Sequence, residues 1–178
     1  MSCPRLLVLA AALMASCGGG GSAGPAPAGN PNAGVDPCSG QTIPYNDPAT
    51  VLMANPHFST DILPVIQASC GTGSSTSSCH GASAPYSRIH WGNERTAQQI
   101  YNDITDPAAT RAPAGWQDVN PSNPAKSWVL EKVSPADGCN PRPASGATPQ
   151  GAKMPLGGLL RPNTLANLRT WNAQGAPF

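Results

Sequence analysis

Cys70 and Cys79 are separated by eight residues, every one of them Gly, Ser or Thr, and Cys79 is followed directly by His80. A stretch of that composition has no apolar face to bury as a helix or a strand. It is a flexible loop that can bulge outward and bring its two ends back together. The fold is therefore expected to gather two thiols and an imidazole at one point. Thiols placed side by side have two uses. They close the loop as a disulfide, worth up to about 3 kcal/mol for a loop of this length, or they hold a third body between them with the imidazole beside it.

The amino-terminal stretch points to the compartment. It reads Met1-Ser-Cys-Pro-Arg5, then an almost wholly apolar run from Leu6 to Ala15, then Ser16-Cys17 and four glycines. One positive charge, a short apolar run and small residues before the cut describe a secretory signal. The run falls well short of the roughly 20 residues that cross a bilayer. Met14-Ala15-Ser16-Cys17 resembles the lipobox of bacterial lipoproteins, with Met14 standing where leucine is commoner. That resemblance implies Cys17 as the lipidated first residue of the exported chain. Glycine rather than aspartate at position 19 implies, by the sorting rule for such lipoproteins, an outer-membrane protein facing the periplasm or the cell surface. The expected organisation is a signal peptide over residues 1–17, a flexible tether over 18–37 and one folded domain over 38–178.

Loss of Arg5 with the signal leaves nine basic and nine acidic residues. Zero net charge with no basic run excludes a nucleic-acid partner and leaves the lipid anchor as the membrane contact. Gly and Pro number 19 and 21, and charged residues are only 11% of the chain. The folded part, about 140 residues, can bury a single core, but with short helices and long loops. Outside the cytoplasm thiols are paired, so Cys38, Cys70, Cys79 and Cys139 are expected in disulfides or thioethers. A Cys38–Cys139 disulfide is the simplest pairing for those two, fastening the segment after the tether to the loop before Met154.

Apolar periodicity places four helices. The first covers Phe58 to Cys70, with Asp61 as its cap, Pro64 at the third helical position, and Ile62, Leu63, Ile66 and Cys70 on one face. Gly71 and Gly73 end it. The second runs from Glu94 to Ile104 with Asn93 as cap and Ala97, Ile100 and Ile104 inward. After an irregular stretch holding Trp116, the third starts at Asn123-Pro124, passes through Trp128, Leu130 and Val133, and stops at Pro135. The fourth spans Asn163 to Ala173, presents Leu165, Leu168 and Trp171, and ends at Gly175. No strand-like alternation of useful length and no internal repeat appears. The fold class is all-α, about four short helices joined by long Gly/Pro-rich loops.

Four blocks in order carry a family resemblance. They are Asp61-Ile-Leu-Pro-Val-Ile-Gln-Ala-Ser-Cys70; Cys79-His80-Gly81; Val119-Asn-Pro-Ser-Asn-Pro124 followed by Ser127-Trp-Val-Leu130; and Met154-Pro-Leu-Gly-Gly158 followed by Leu165, Arg169, Trp171 and Gly175-Ala-Pro177. Over residues 55 to 178 the chain resembles the cytochrome c-like domains of bacterial lipoproteins and planctomycete-type cytochromes. The resemblance implies a cytochrome c-like fold and haem c, attached through Cys70 and Cys79. His80 would then be the proximal iron ligand and Met154 the opposite one, a soft thioether that raises the reduction potential. Gly157 and Gly158 would allow close approach to a flat cofactor. With both axial positions filled, the expected role is one-electron transfer to a redox partner protein, not enzymatic turnover. The usual attachment motif has two residues between its cysteines; here there are eight, which one helical turn cannot span.

The alternative is a haem-free lipoprotein domain, stapled by disulfides including Cys70–Cys79, that acts as a binding or structural module. His90, beside Trp91, is the reserve axial ligand, and otherwise a surface histidine. His57 has no evident partner. Trp116, Trp128 and Trp171 read as core residues, some of which would line a haem pocket. A zinc site from Cys70, Cys79, His80 and Cys139 has the right ligand types but matches no common zinc spacing. No catalytic Ser/His/Asp set, acidic pair or phosphate-cradling loop stands out, because the glycines near Cys70 follow a helix instead of opening one.

Overall fold

The computed structural model describes residues 33–35, 38, 40, 42–44, 50–71, 80–81, 89–108, 110–136, 138–144, 146–156 and 158–178. The signal, Cys17, most of the tether, Cys79 and Gly157 lie outside these residues. Among the described residues the regular structure is mostly helical, as the periodicity predicts. One short antiparallel hairpin adds to it, pairing β1 (Ala33–Val35) with β2 (Thr42–Pro44).

The first helical segment runs from Phe58 to Gly71 in three pieces. A wide π turn, Phe58–Ile62, leads into α1, Leu63–Ile66, and a second π turn, Gln67–Gly71, follows. The expected cap, Asp61, is instead inside the first turn. His57 is the capping residue, and Asp61 Oδ2 accepts the His57 backbone N–H at 2.8 Å. Pro64 therefore lies beyond the first turn, where its ring would collide with a carbonyl one α-turn earlier. The wider turn relieves that collision, with Ile62 N–H reaching back to His57 O at 3.2 Å and Leu63 N–H to Phe58 O.

The start of this segment is closed by the chain's own tail. Phe58 N–H donates to Pro177 O at 3.0 Å and Ser59 N–H to Phe178 O at 3.3 Å, which satisfies two of the donors a helix start leaves unpaired. Trp171 Nε1–H and Tyr101 Oη–H hold the same tail through Pro177 O and Ala176 O. Phe58 sits among Tyr101, Trp171 and Phe178, with ring centroids 5.4 to 6.3 Å away.

Helix α2, Ala97–Thr105, starts three residues later than expected, because Thr96 and Gln99 form a reciprocal capping box. Ile100 and Ile104 point inward and are fully buried. The third helix is interrupted. A 3₁₀ turn, Pro124–Lys126, gives way at buried Ser127 to α3, Trp128–Val133. Ser127 Oγ donates to Asn120 O and Asn123 O, pulling the backbone out of helical geometry. Helix α4, Pro162–Ala173, begins with proline in its first turn and ends before Gly175, whose φ of 91° is the left-handed conformation glycine tolerates best.

One core joins these pieces: Phe58, Ile62, Leu63 and Ile66 from the first segment, Ile100 and Ile104 from α2, Leu130 from α3, Leu168 and Trp171 from α4, with Trp91 and Val119 from loops. An extended strap, residues 50–54, lies along α4. Asn163 Nδ2–H donates to Thr50 O, and Gln174 Nε2–H to Ala54 O. Between them, Asn167 both accepts from Met53 N–H at 2.9 Å and donates to Val51 O at 2.8 Å. At 4 and then 7 residues apart, the three amides form a stripe on one helix face. The long connection from α3 to α4 is fastened to the hairpin region by the Cys38–Cys139 disulfide, as expected from the sequence.

Candidate functional site

Three of the side chains singled out in the sequence, Cys70, His80 and Met154, line one apolar pocket. Each arrives from a different direction. Cys70 is carried by the π turn that ends the first helical segment and packs against the core. His80 follows residues 72–79, which lie outside the described set. Met154 comes from the connection between α3 and α4. The remaining wall is made by Val65 and Ile66 of α1, by Trp128, Val129 and Val133 of α3, and by Leu160, Thr164 and Leu168 at the start and on the face of α4. The pocket is partly open, with a volume of about 120 Å³.

His80 is held in a defined orientation. Its Nδ1 lies 2.9 Å from the carbonyl oxygen of Ile89. A carbonyl only accepts, so Nδ1 carries the proton, and in the neutral ring Nε2 is the basic nitrogen. A metal-ligating histidine is commonly oriented by the same kind of outer hydrogen bond. The backbone on either side is clamped as well. Trp91 N–H donates to His80 O at 2.8 Å, and Gln67 Nε2–H reaches from the first segment to Trp91 O at 2.8 Å. Trp91, buried, meets the imidazole edge-on with ring centroids 6.5 Å apart.

Burial is the largest influence on the His80 proton and lowers its pKa. The Ile89 hydrogen bond opposes that, while the charges of His90 and Lys132 reinforce it. The imidazole is thus biased toward the neutral form that ligates metals. Burial also lowers the pKa of Lys132, whose stem lines the same pocket.

Met154 is placed by its backbone: its N–H donates to Lys132 O at 2.7 Å. Its thioether is half-buried on the pocket wall. The following residue, Pro155, is buried, and Leu156 is exposed.

No protein-family model, no curated protein and no solved structure matches this chain. The site is therefore read from its own chemistry. An imidazole and a thioether in one apolar pocket, with the Cys70 sulfur on the same wall, are a borderline and a soft donor, a pairing that transition metals accept. Among the described residues, no three His, Cys, Asp or Glu side chains gather as a metal-binding group. Cys139, bonded to Cys38, is removed from any zinc set.

The other sequence candidates fall elsewhere. His90 Nδ1 faces Gly81 O at 3.3 Å, and His90 is not on the pocket wall. His57 caps the first helical segment. Trp171 belongs to the aromatic cluster around Phe58, and Trp116 stacks edge-on against Trp128 at 5.6 Å. Of the tryptophans expected inside, only Trp128 reaches the pocket. A shallower hollow of about 450 Å³, lined by Trp116, Leu130, Glu131 and Arg169 among others, holds none of the candidate ligands. Three contributors to the site escaped sequence reasoning. Trp91 carried a signal, a large apolar side chain next to a histidine; the Ile89 carbonyl and the lysine stem of Lys132 carried none.

Proposed function

We propose that this chain is an exported, lipid-anchored c-type cytochrome-like protein that carries single electrons to and from a redox partner. In this reading the domain has a cytochrome c-like fold and holds haem c. Cys70 and Cys79 provide the thioether links, and His80 and Met154 the axial ligands. The observation that carries it is the meeting of Cys70, His80 and Met154 on one apolar pocket, from three separate parts of the chain.

The residues present fit the group chemically. Bound there, haem would supply a reversible one-electron couple whose potential a thioether ligand raises. The chain's own contributions are orientation and exclusion of water. Ile89 O fixes the imidazole tautomer, and burial biases the ring toward neutrality. Lys132 O holds the Met154 backbone, while Trp91, Trp128 and Leu168 form an apolar wall. With two axial ligands from the protein, no coordination position is left for substrate, so the role is transfer and not turnover.

A second reading is favoured by one observation, the modest pocket volume of about 120 Å³. A tetrapyrrole is larger and would have to extend past the described walls. A haem-free, disulfide-stapled lipoprotein domain whose pocket takes a smaller apolar ligand uses the space as it stands.

Purification of the protein exported by a host with haem-attachment enzymes separates the two. The first reading expects a Soret band, sharp bands on reduction, and an intact mass raised by one haem that survives denaturation. A colourless protein whose mass accounts for two disulfides, one of them Cys70–Cys79, overturns it in favour of the second.

A further inference from the structure

We infer that Lys132 is the positioning residue for Met154, fastening the loop that presents the thioether to the pocket. The inference rests on the electron-carrier reading for what Met154 does, but its geometry stands by itself. One residue makes three attachments to that loop. Its backbone carbonyl accepts the Met154 N–H at 2.7 Å, and its ammonium donates to Ala152 O at 2.6 Å and to Gln150 O at 3.3 Å.

The loop is shaped to receive that ammonium. Gly151, between the two accepting residues, has φ of +76°, a left-handed conformation open to glycine. A Cβ at this position would stand 3.2 Å from Lys132 Nζ. Gly151 thus lets the carbonyls of Gln150 and Ala152, on either side of it, turn toward one cation while leaving room for it. The far end of the same connection is held by the neighbouring residue. Glu131 Oε1 accepts from Ala136 N–H at 3.3 Å and Arg142 N–H at 3.0 Å. Adjacent side chains of α3 therefore hold two stretches of the connection, and the lysine has the stretch next to Met154.

Hydrogen bonds from a charged donor are the stronger kind. Their loss removes both side-chain attachments of the loop beside Met154 and leaves the main-chain bond from Met154 N–H to Lys132 O, so the thioether is held less firmly in the pocket. Lys132→Leu keeps an apolar stem on the wall and removes the donor; Lys132→Arg keeps a cation of similar reach. The test uses the full-length exported protein in wild-type, Leu and Arg forms. Imidazole is the probe for an open iron position, and amide hydrogen exchange at Met154 reports the loop whether or not colour is present.

Lys132→Leu should bind imidazole about tenfold more tightly and exchange the Met154 amide about tenfold faster, with the urea midpoint of the whole domain little changed and both effects reversed in Lys132→Arg. A coloured Leu variant with unaltered imidazole affinity and unaltered exchange overturns the inference and leaves the electron-carrier reading intact. A colourless wild-type protein overturns that reading and, with it, the ligand-positioning role. Faster exchange in the Leu variant would then assign Lys132 only to holding the loop.

Discussion

The backbone N–H of Met154 donates to the carbonyl of Lys132 at 2.7 Å, tying the connection before α4 to the last turn of α3. The tie passes through the main chain, so it is independent of what the methionine side chain does. That independence makes the thioether testable on its own.

Met154→Ala should remove the sulfur without releasing the loop. Because the side chain is only half-buried, the stability cost should stay below about 2 kcal/mol, under the range for a fully buried methionine. Under the electron-carrier reading, the variant should show a lower reduction potential and take up added imidazole. Redox titration decides the point, and an unchanged potential would count against Met154 as a ligand.

Asn167 grips the strap from both sides, accepting from Met53 and donating to Val51, and is itself buried. Asn167→Leu should therefore cost about 2–3 kcal/mol, two hydrogen bonds with a backbone N–H left unmatched. Urea denaturation measures it. Asn163→Ala, one bond nearer the edge, should cost about half as much; equal losses would show that the strap is not held mainly at Asn167.

The Cys38–Cys139 bond spans 101 positions. Loop-closure entropy for so long a loop predicts a stabilisation of as much as about 4.7 kcal/mol. A double Cys38→Ser, Cys139→Ser variant should lower the unfolding free energy by about 2–4 kcal/mol while leaving helix content, by far-ultraviolet circular dichroism, unchanged. Full stability in that variant would mean that hairpin and connection are held by other contacts.

Acid sensitivity should centre on Asp103. Burial pushes its carboxyl up, but hydrogen bonds and charges from Arg111 and Arg95, at 3.0 and 3.2 Å, more than compensate and hold it below its ordinary value. Its contribution is complete above the unfolded-state value near 3.8 and is lost as pH falls through the lower folded one. Asp118 beside it is raised, chiefly by burial, so its ionisation weakens the fold as pH rises above that same value. Asp103→Asn should accordingly lie furthest below wild type at about pH 5 to 7 and converge with it near pH 2. Unfolding measured across that range checks the convergence; a constant gap would sink the assignment.

The helices were legible because their buried residues keep a 3.6-residue period: Ile100 with Ile104, and Leu168 with Trp171. Their starts were less so. Asp61 is an ordinary capping residue, yet here it reaches back to His57 from within the first turn, and the π turn that admits Pro64 has no sequence signature. Thr96 and Gln99 spell a capping box in the sequence, three residues beyond Asn93, the expected cap. The meeting of Cys70, His80 and Met154 was legible because Cys-His and Met-Pro pairs are chemically distinctive. What orients them was not. The Ile89 carbonyl belongs to the main chain and could have been any residue's, and Lys132 resembles any surface lysine until Gly151 is seen turning two carbonyls toward it.

The disulfide also decides how the domain would bear a mechanical load. Tension applied between a point upstream of Cys38 and the carboxyl end would cross the sulfur bridge to Cys139 and continue through the connection and α4. The strap, the first helical segment, α2 and α3 all lie within the closed ring and are spared from stretching. Under such a load the connection carrying Met154 would bear the pull directly, and the bonds between strap residues 50–54 and α4 would join the spared ring to the loaded chain.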